Sequence, residues 1–445
     1  MKLRNDKIAS SLETLKEYYR KLDEEYYRDL FSKDSSHVKI MLITSENTEI
    51  NKFIVKDWCR VFQELGYQTR LLIENETYEQ VNTGVIICEA AKYRPDIVFH
   101  INYTVRHVFP VDDICRNLLW IMRYRDLIQI PAYEGENMFI STMVRAWAEE
   151  LIKDCMPEKR IMYSPEGVDI NIFKKKKEAK RNYKCDIVSV NSSGGDAHFR
   201  FTYLIEMFNG NTMRQVIHEL YSEITEMSSR EQFCFFDSSF EKLLEKKLLQ
   251  REIQINKEVK KIIARGVSNI MFAYYRQKVM EWIIDSGITT NIQLWGRSWS
   301  NYEKFRKYHM GIARHGKELS GIYGSSKISI SDHPNIPLHE RLFEIQASGG
   351  FPLVKHIQPE NGEITDYITN YFKENEEIVL FYNKDDLLNK VQYYLDNPDE
   401  RERIAENGKN VAMRDFSNVA VAKKTISFIK EYYVGQDVKT NIKET

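Results

Sequence analysis

The densest concentration of groups able to do chemistry lies at residues 335–354, NIPLHERLFEIQASGGFPLV. Within it Glu340 and Glu344 stand four residues apart, with Arg341 between them. On a helix this spacing puts both carboxylates on one face, where like charges repel by a few tenths of a kcal/mol unless something relieves them. Arg341 is one relief; a ligand on one carboxylate is another. A carboxylate one to two turns inside a helix can accept hydrogen bonds from both hydroxyls of a nucleotide ribose. The free N–H groups at the helix start, with the positive end of its dipole, suit a phosphate. The plain alternative is an exposed Glu/Arg pair on a surface helix, and spacing alone leaves both open.

The elements that must hold these groups are also legible. Pro337 suits the first turn of a helix and Asn335 its cap. Leu338, Leu342 and Ile345 fall at i, i+4 and i+7 and make a buried stripe. Gly349 stops the helix, and Gly350 allows close backbone approach before strand PLVKH, Pro352 to His356. Upstream, apolar runs rich in β-branched residues alternate with amphipathic segments. Strands are expected at Val38–Thr44, Arg70–Glu74, Pro95–Asn102, Asn117–Arg123, Met138–Thr142 and Arg160–Ser164, with helices at about Ile50–Leu65, Tyr78–Tyr93 and Val144–Asp154. After the lysine run FKKKKEAKRNYK (Phe173 to Lys184), read as a solvated linker, the pattern restarts with strand CDIVSVN (Cys185 to Asn191) and the small-residue loop Ser192-Ser193-Gly194-Gly195. Residues 197–286 read as helical and exceed what one crossover needs. Strands Asn291–Gly296, Lys327–Ser331, Pro352–His356 and Glu377–Tyr382 follow, then helices Lys384–Leu395, Asp399–Met413 and Asn418–Tyr433. The sum is two successive doubly wound α/β halves.

Composition bounds the function. The chain has 445 residues, more than one domain's worth, and 64 Lys+Arg balance 65 Asp+Glu, so there is no global attraction to nucleic acid or anionic lipid. Hydrophobic residues at 42% exclude a disordered chain. Cys59, Cys88, Cys115, Cys155, Cys185 and Cys234 form no CxxC pair and read as reduced core thiols. No apolar run is long enough for a membrane helix, and MKLRNDKIASSLETLKEYYRK lacks a signal-peptide core, so a cytoplasmic protein is expected. Residues 1 to about 35 recur near a helical period and read as a packing arm or a homodimerisation helix.

RLFEIQASGGFPLV resembles the signature of GT-B glycosyltransferases of the large group 1 superfamily, most closely the CgeB-like (spore-maturation-type) branch. EEIVLFYNKDDLLNKVQYYLDNPDERERIAENGKNVA is similar to that branch's downstream strand and helix pair. SPEGVDINIF (Ser164 to Phe173) resembles the segment ending the superfamily's N-terminal domain, and LSGIYGSSKISIS the segment before the signature. The resemblance spans most of residues 160–430 and is specific for superfamily rather than substrate.

It implies an α/β GT-B fold: two Rossmann-like doubly wound domains facing across a cleft, with a helical N-terminal extension (1–36), an acceptor domain (37–173), a linker (174–184), a donor domain (185–416) with a helical insertion at about 197–286, and a final helix (417–445) crossing back to the first domain. It implies transfer of a sugar from a nucleotide-diphosphate sugar to an unknown acceptor (glycan, lipid carrier, protein or modified base), retaining and metal-independent, with no cofactor. Glu344 takes the ribose; Arg341 braces it or reaches phosphate; Gly349 and Gly350 allow close approach of the donor; Arg297, Gly194, Gly195 and Arg200 lie by the phosphates. His339 and Glu340 complete the donor set. His100 and Arg297 are the expected catalytic residues, His100 facing the cleft against the donor sugar, with Asp332 and His333 as further cleft candidates. Ile336 stands where many relatives carry a second Glu, and His339 where many of the branch carry Asn, so the sugar is not assigned. Absence of GxxxxGK[ST], HExxH, GxSxG and D-x-D motifs removes several other chemistries. A nucleotide-sugar epimerase of the same fold and a non-catalytic nucleotide-sugar-binding scaffold remain as alternatives.

Overall fold

Runs such as IVFHI and LWIMRY are buried at every position, as strands covered on both faces of a parallel sheet must be. A computed structural model describes residues 2–48, 50–74, 82–124, 133–154, 156–175, 181–234, 237–333, 336, 338–357 and 367–435. The chain folds as two compact units, Met1–Asp169 with Arg414–Thr445, and Ile170–Met413.

The first unit holds strands β1 (Lys39–Ser45), β2 (Gln68–Glu74), β3 (Ile97–Ile101), β4 (Leu119–Tyr124), β5 (Met138–Thr142) and β6 (Ile161–Tyr163). They form one parallel sheet in the order β2-β1-β3-β4-β5-β6. Its helices are α1 (Lys2–Tyr19), α2 (Glu24–Ser32), α3 (Asn51–Glu64), α4 (Thr83–Tyr93), α5 (Val105–Val108), α6 (Asp112–Asn117) and α7 (Arg145–Lys153). The N-terminal segment packs on its own unit: α1 lies against α4 and α6, and Tyr19 Oη donates to Pro95 O at 2.9 Å. Tyr27, on α2, accepts the Leu119 N–H at 2.9 Å, so this arm reaches the start of β4.

The second unit repeats the plan. Strands β7 (Cys185–Val190), β8 (Ile292–Trp295), β9 (His309–Gly311), β10 (Ser326–Ser331), β11 (Pro352–Lys355) and β12 (Val379–Phe381) form a parallel sheet ordered β12-β11-β10-β7-β8-β9. Its helices are α8 (Ala197–Glu206), α9 (Asn211–Ser229), α10 (Asp237–Leu249), α11 (Lys257–Ser286), α12 (Glu303–Arg306), α13 (Lys317–Tyr323), α14 (Glu340–Ala347), α15 (Lys384–Asp396) and α16 (Pro398–Asp415). The insertion expected at 197–286 is α8 to α11, which build a core of their own around Phe201, Leu220, Phe240, Leu244, Ile263 and Ile270. Among the described residues no helix is long and apolar enough to cross a membrane.

Several expectations shift. Pro337 and Asn335 lie outside the described residues, and α14 begins at Glu340 with His339 as its N-cap. The reason is local: the His339 ring Nδ1 accepts the Arg341 N–H at 3.3 Å and does the capping. The helix expected from Tyr78 begins at Thr83, capped by Asn82, with residues 75–81 outside the described set. Residues 176–180 of the lysine run also lie outside it. The first unit ends at Asp169, ahead of that run, because Phe173 packs into the second unit, its ring 5.5 Å from that of His315. β9 and α13 escape the sequence pattern, β9 being three residues with none buried.

The last helix, α17 (Asn418–Val434), completes the first unit. It packs against α2 and α3, with Tyr433 stacked on Tyr27 at 5.1 Å and Phe31 at 5.7 Å. Tyr433 Oη donates to Asn137 Oδ1 at 2.6 Å. Tyr433→Ala should therefore lower the first unit's stability by about 3–5 kcal/mol, and Tyr433→Phe, which keeps the stack, by about 1 kcal/mol. Equilibrium urea unfolding checks the order of the two.

Candidate functional site

The strand order of the second sheet reverses between β7 and β10. Where two neighbouring parallel strands send their following segments to opposite sides, a crevice opens at their carboxyl ends, and open α/β sheets bind ligands there. Two side chains floor this crevice. Asn191, just after β7, donates from Nδ2 to Asp332 Oδ1, just after β10, at 2.7 Å. Asp332 is fully buried, and burial raises its carboxyl pKa while Arg276 and Arg341 pull it down.

The loop after β7 supplies one wall. Gly194 and Gly195 have φ of +85° and +78°. A Cβ on Gly194 would sit 2.5 Å from the Ala273 Cα, so α11 runs hard against this loop. Gln277 fastens the contact, its Nε2 reaching Ser193 O at 3.2 Å and Gly195 O at 3.3 Å. Arg200, in the first turns of α8, donates from Nε to Gly194 O. Arg297, beyond β8, accepts the Ser193 N–H on its carbonyl at 3.1 Å, while its side chain is exposed.

α14 supplies the other wall. Arg341 lies within electrostatic reach of the buried Tyr323 hydroxyl and pulls its raised pKa back down, and its Nη1 is sealed from solvent without a partner among the described residues. Glu340 and Glu344 are both buried, which excludes the exposed surface pair. His339 Nε2 lies 3.5 Å from Glu340 Oε2, and His315 Nε2 lies 3.2 Å from Glu344 Oε1. Burial raises the Glu344 carboxyl pKa, and Glu340 adds to it, against the pull of His315 and Arg341. His333 stacks on His339 with ring centroids 4.4 Å apart. Burial holds the His333 imidazole pKa far down, so it stays neutral.

A third cation comes from α11. Arg276 immediately precedes Gln277 and lies one turn beyond Ala273, the two residues that bind the Gly194 loop. Its Nε is sealed from solvent and has no partner among the described residues. Desolvation pulls its guanidinium pKa down to about 10; Asp332 opposes this, and Arg341 and Arg200 reinforce it. Arg200, Arg276 and Arg341 thus converge by electrostatic reach on one end of β7 and β10.

Of the residues picked out by sequence, the structure gathers Gly194, Gly195, Arg200, Asp332, His333, His339, Glu340, Arg341 and Glu344 around this crevice. Gly349 and Gly350 lie at the opposite end of α14, about 12 Å along the axis. A Cβ at those two positions would meet the Lys175 side chain at 2.9 Å and Tyr323 O at 2.8 Å, so they serve close packing there. His100 belongs to the first unit, on β3, beside the point where that sheet reverses. Its Nδ1 lies 2.9 Å from Ile101 O, which places the proton on Nδ1 and leaves Nε2 a bare lone pair without a partner among the described residues. Burial lowers its pKa to about 4, and it stacks on Trp120 at 6.0 Å. Arg276, His315 and Asn191 were not legible as site residues. Each sits in unremarkable local sequence, and only the packing of α11 and the β7–β10 adjacency bring them in. Among the described residues no three His, Cys, Asp or Glu side chains group as a metal site requires.

Residues 276–427 match a family model described as "Glycosyl transferase-like". The fold is similar to that of a glycosyltransferase from Rickettsia africae ESF-5, at 12% identity and a TM-score of 0.52, over 90% of this chain and 99% of that one. It is also similar to sucrose-phosphate synthase from Thermosynechococcus elongatus, at 10% identity and a TM-score of 0.51, over 90% of this chain and 100% of that one. No curated protein matches the sequence. With its two six-stranded parallel sheets the chain has the GT-B fold.

The two loop glycines separate by experiment. Gly194→Ala should cost about 2–4 kcal/mol, from left-handed strain plus collision with α11, and Gly195→Ala, which meets only the far end of Arg200, about 1–2 kcal/mol. Chemical unfolding of the two variants checks the ranking.

Proposed function

We propose that the chain is a glycosyltransferase that moves a sugar from a nucleotide-diphosphate sugar to an acceptor, with the donor held by the second unit. One observation carries this reading. The segment that matches the glycosyl transferase-like model, residues 276–427, is the one that delivers Asp332, Arg341 and Glu344 to the carboxyl-end crevice of β7 and β10. The resemblance of RLFEIQASGGFPLV to the CgeB-like branch supports the same assignment from the sequence side.

In this reading the Glu344 carboxylate accepts hydrogen bonds from the ribose hydroxyls, and its partner His315 keeps it aimed and ionised. Arg341 and Arg200 lie toward the diphosphate. As the bond from the sugar's anomeric carbon to the diphosphate oxygen breaks, negative charge builds on the leaving group, and fixed guanidinium groups in a poorly solvated site offset that charge without reorganising. The positive charge grows on the sugar ring as an oxocarbenium-like centre. We take transfer to retain the anomeric configuration and to need no divalent ion, both from the resemblance. The first unit is then the acceptor half, where the neutral His100 offers Nε2 as a proton acceptor at the end of β3.

Thermal-shift measurement with UDP, GDP, ADP, CDP and dTDP should find at least one diphosphate that raises the melting temperature; silence across the set would sink the enzyme reading. Glu344→Gln should weaken that nucleotide by roughly 10- to 150-fold, the worth of hydrogen bonds to a charged acceptor, and leave inorganic pyrophosphate binding unchanged. The carboxyl pKa is raised, so affinity should fall as pH drops through a midpoint above the ordinary carboxylate range, because the protonated acid no longer accepts both hydroxyls. Once a donor is found, the product's anomeric proton coupling and activity in chelator test the stereochemical course and the metal requirement.

A further inference from the structure

We infer that Arg276, delivered by the helical insertion, is a direct ligand of the donor's diphosphate. The inference rests on reading the second unit as a nucleotide-sugar site and goes beyond it by naming a cation that the signature segment around α14 does not contain. Three observations converge. First, position: α11 is pressed onto the Gly194–Gly195 loop at Ala273 and clamped to it at Gln277, so residue 276 is held at the mouth of β7. Second, satisfaction: the Nε of Arg276 is sealed from water and makes no hydrogen bond among the described residues, and neither does the sealed Nη1 of Arg341. A guanidinium N–H that has given up water without regaining a partner is a costly arrangement unless an acceptor arrives. Third, charge: the groups Arg276 senses are two like charges, Arg200 and Arg341, and one opposite charge, Asp332. Arg276 therefore sits among more cations than anions, a setting that favours a dianionic diphosphate. The free nucleotide released on transfer carries more negative charge at its terminal phosphate, so the same cluster grips the product harder than the donor and favours departure of the leaving group.

The insertion thereby acquires a role. α8 to α11 build their own core, and that core is the scaffold that fixes the register of α11 against the phosphate loop.

Isothermal titration of the full chain with inorganic pyrophosphate, which needs no knowledge of the base, tests the assignment. The nucleoside diphosphate found by thermal shift and its parent nucleoside are titrated in parallel. Arg276→Gln should weaken pyrophosphate and the nucleoside diphosphate by about tenfold or more while leaving the nucleoside unchanged, and Arg276→Lys should recover part of the loss. The ligand-free Arg276→Gln chain should melt no lower than the wild type, since a poorly compensated charge has been removed. Equal binding of pyrophosphate by wild type and Arg276→Gln overturns the inference while leaving the donor site standing. A parallel loss of nucleoside affinity, a lower ligand-free melting temperature or failure of Arg276→Gln to fold marks a structural arginine and also overturns it. A wild-type chain that binds neither pyrophosphate nor any nucleoside diphosphate removes the donor-site reading itself.

Discussion

A cation taken out of water has to be answered by negative charge, and the second unit is organised around that requirement. Asp332 answers part of it, and Asn191 holds Asp332 in place from the neighbouring strand. Neither residue would face the other without the reversal of strand order between β7 and β10. The walls follow from the same demand: one glycine loop thin enough to let α11 approach, and one short helix that begins with His339 instead of a hydroxyl or carboxylate cap. Local sequence choices that look unfavourable alone, such as Glu340 and Glu344 buried four residues apart, make sense as the acidic side of a site whose basic side comes from three separate helices.

The two units solve one packing problem twice. Each is a six-stranded parallel sheet with a reversal near its middle, and each places polar residues at the carboxyl ends of the strands flanking the reversal. In the first unit that residue is His100, neutral and seated on Trp120; in the second it is an ion cluster. The two reversals thus differ in electrostatic character, uncharged in one unit and ionic in the other. The difference arises with no change of architecture.

How much of this the sequence discloses depends on the range of the contact. β3 and β4 were legible because burial on both faces writes continuous apolar runs, and the insertion because its charged amphipathic pattern far outruns a normal crossover. Arg341 and Glu344 were legible because one short segment carries them both. The start of α14 was misplaced because capping by a histidine ring is outside the usual set of capping residues, so the proline gave the stronger signal. The burial of Glu344 was hidden because its partner His315 lies 29 residues upstream in a loop without a motif. Arg276 was hidden for the same kind of reason: a helix of 30 residues with mixed charge gives no hint of which turn will meet a distant loop.

The first unit is discontinuous, drawn from Met1–Asp169 and Arg414–Thr445. On the ribosome, all of Ile170–Met413 is synthesised between its two parts, a delay of roughly 10–50 s at ordinary elongation rates. Throughout that interval Tyr27 and Phe31 wait without the aromatic ring of Tyr433 that covers them in the finished molecule. The nascent chain therefore carries an uncovered greasy face for most of translation. A message truncated ahead of α17 yields a polypeptide whose second unit can be complete while its first stays open to chaperones and proteases.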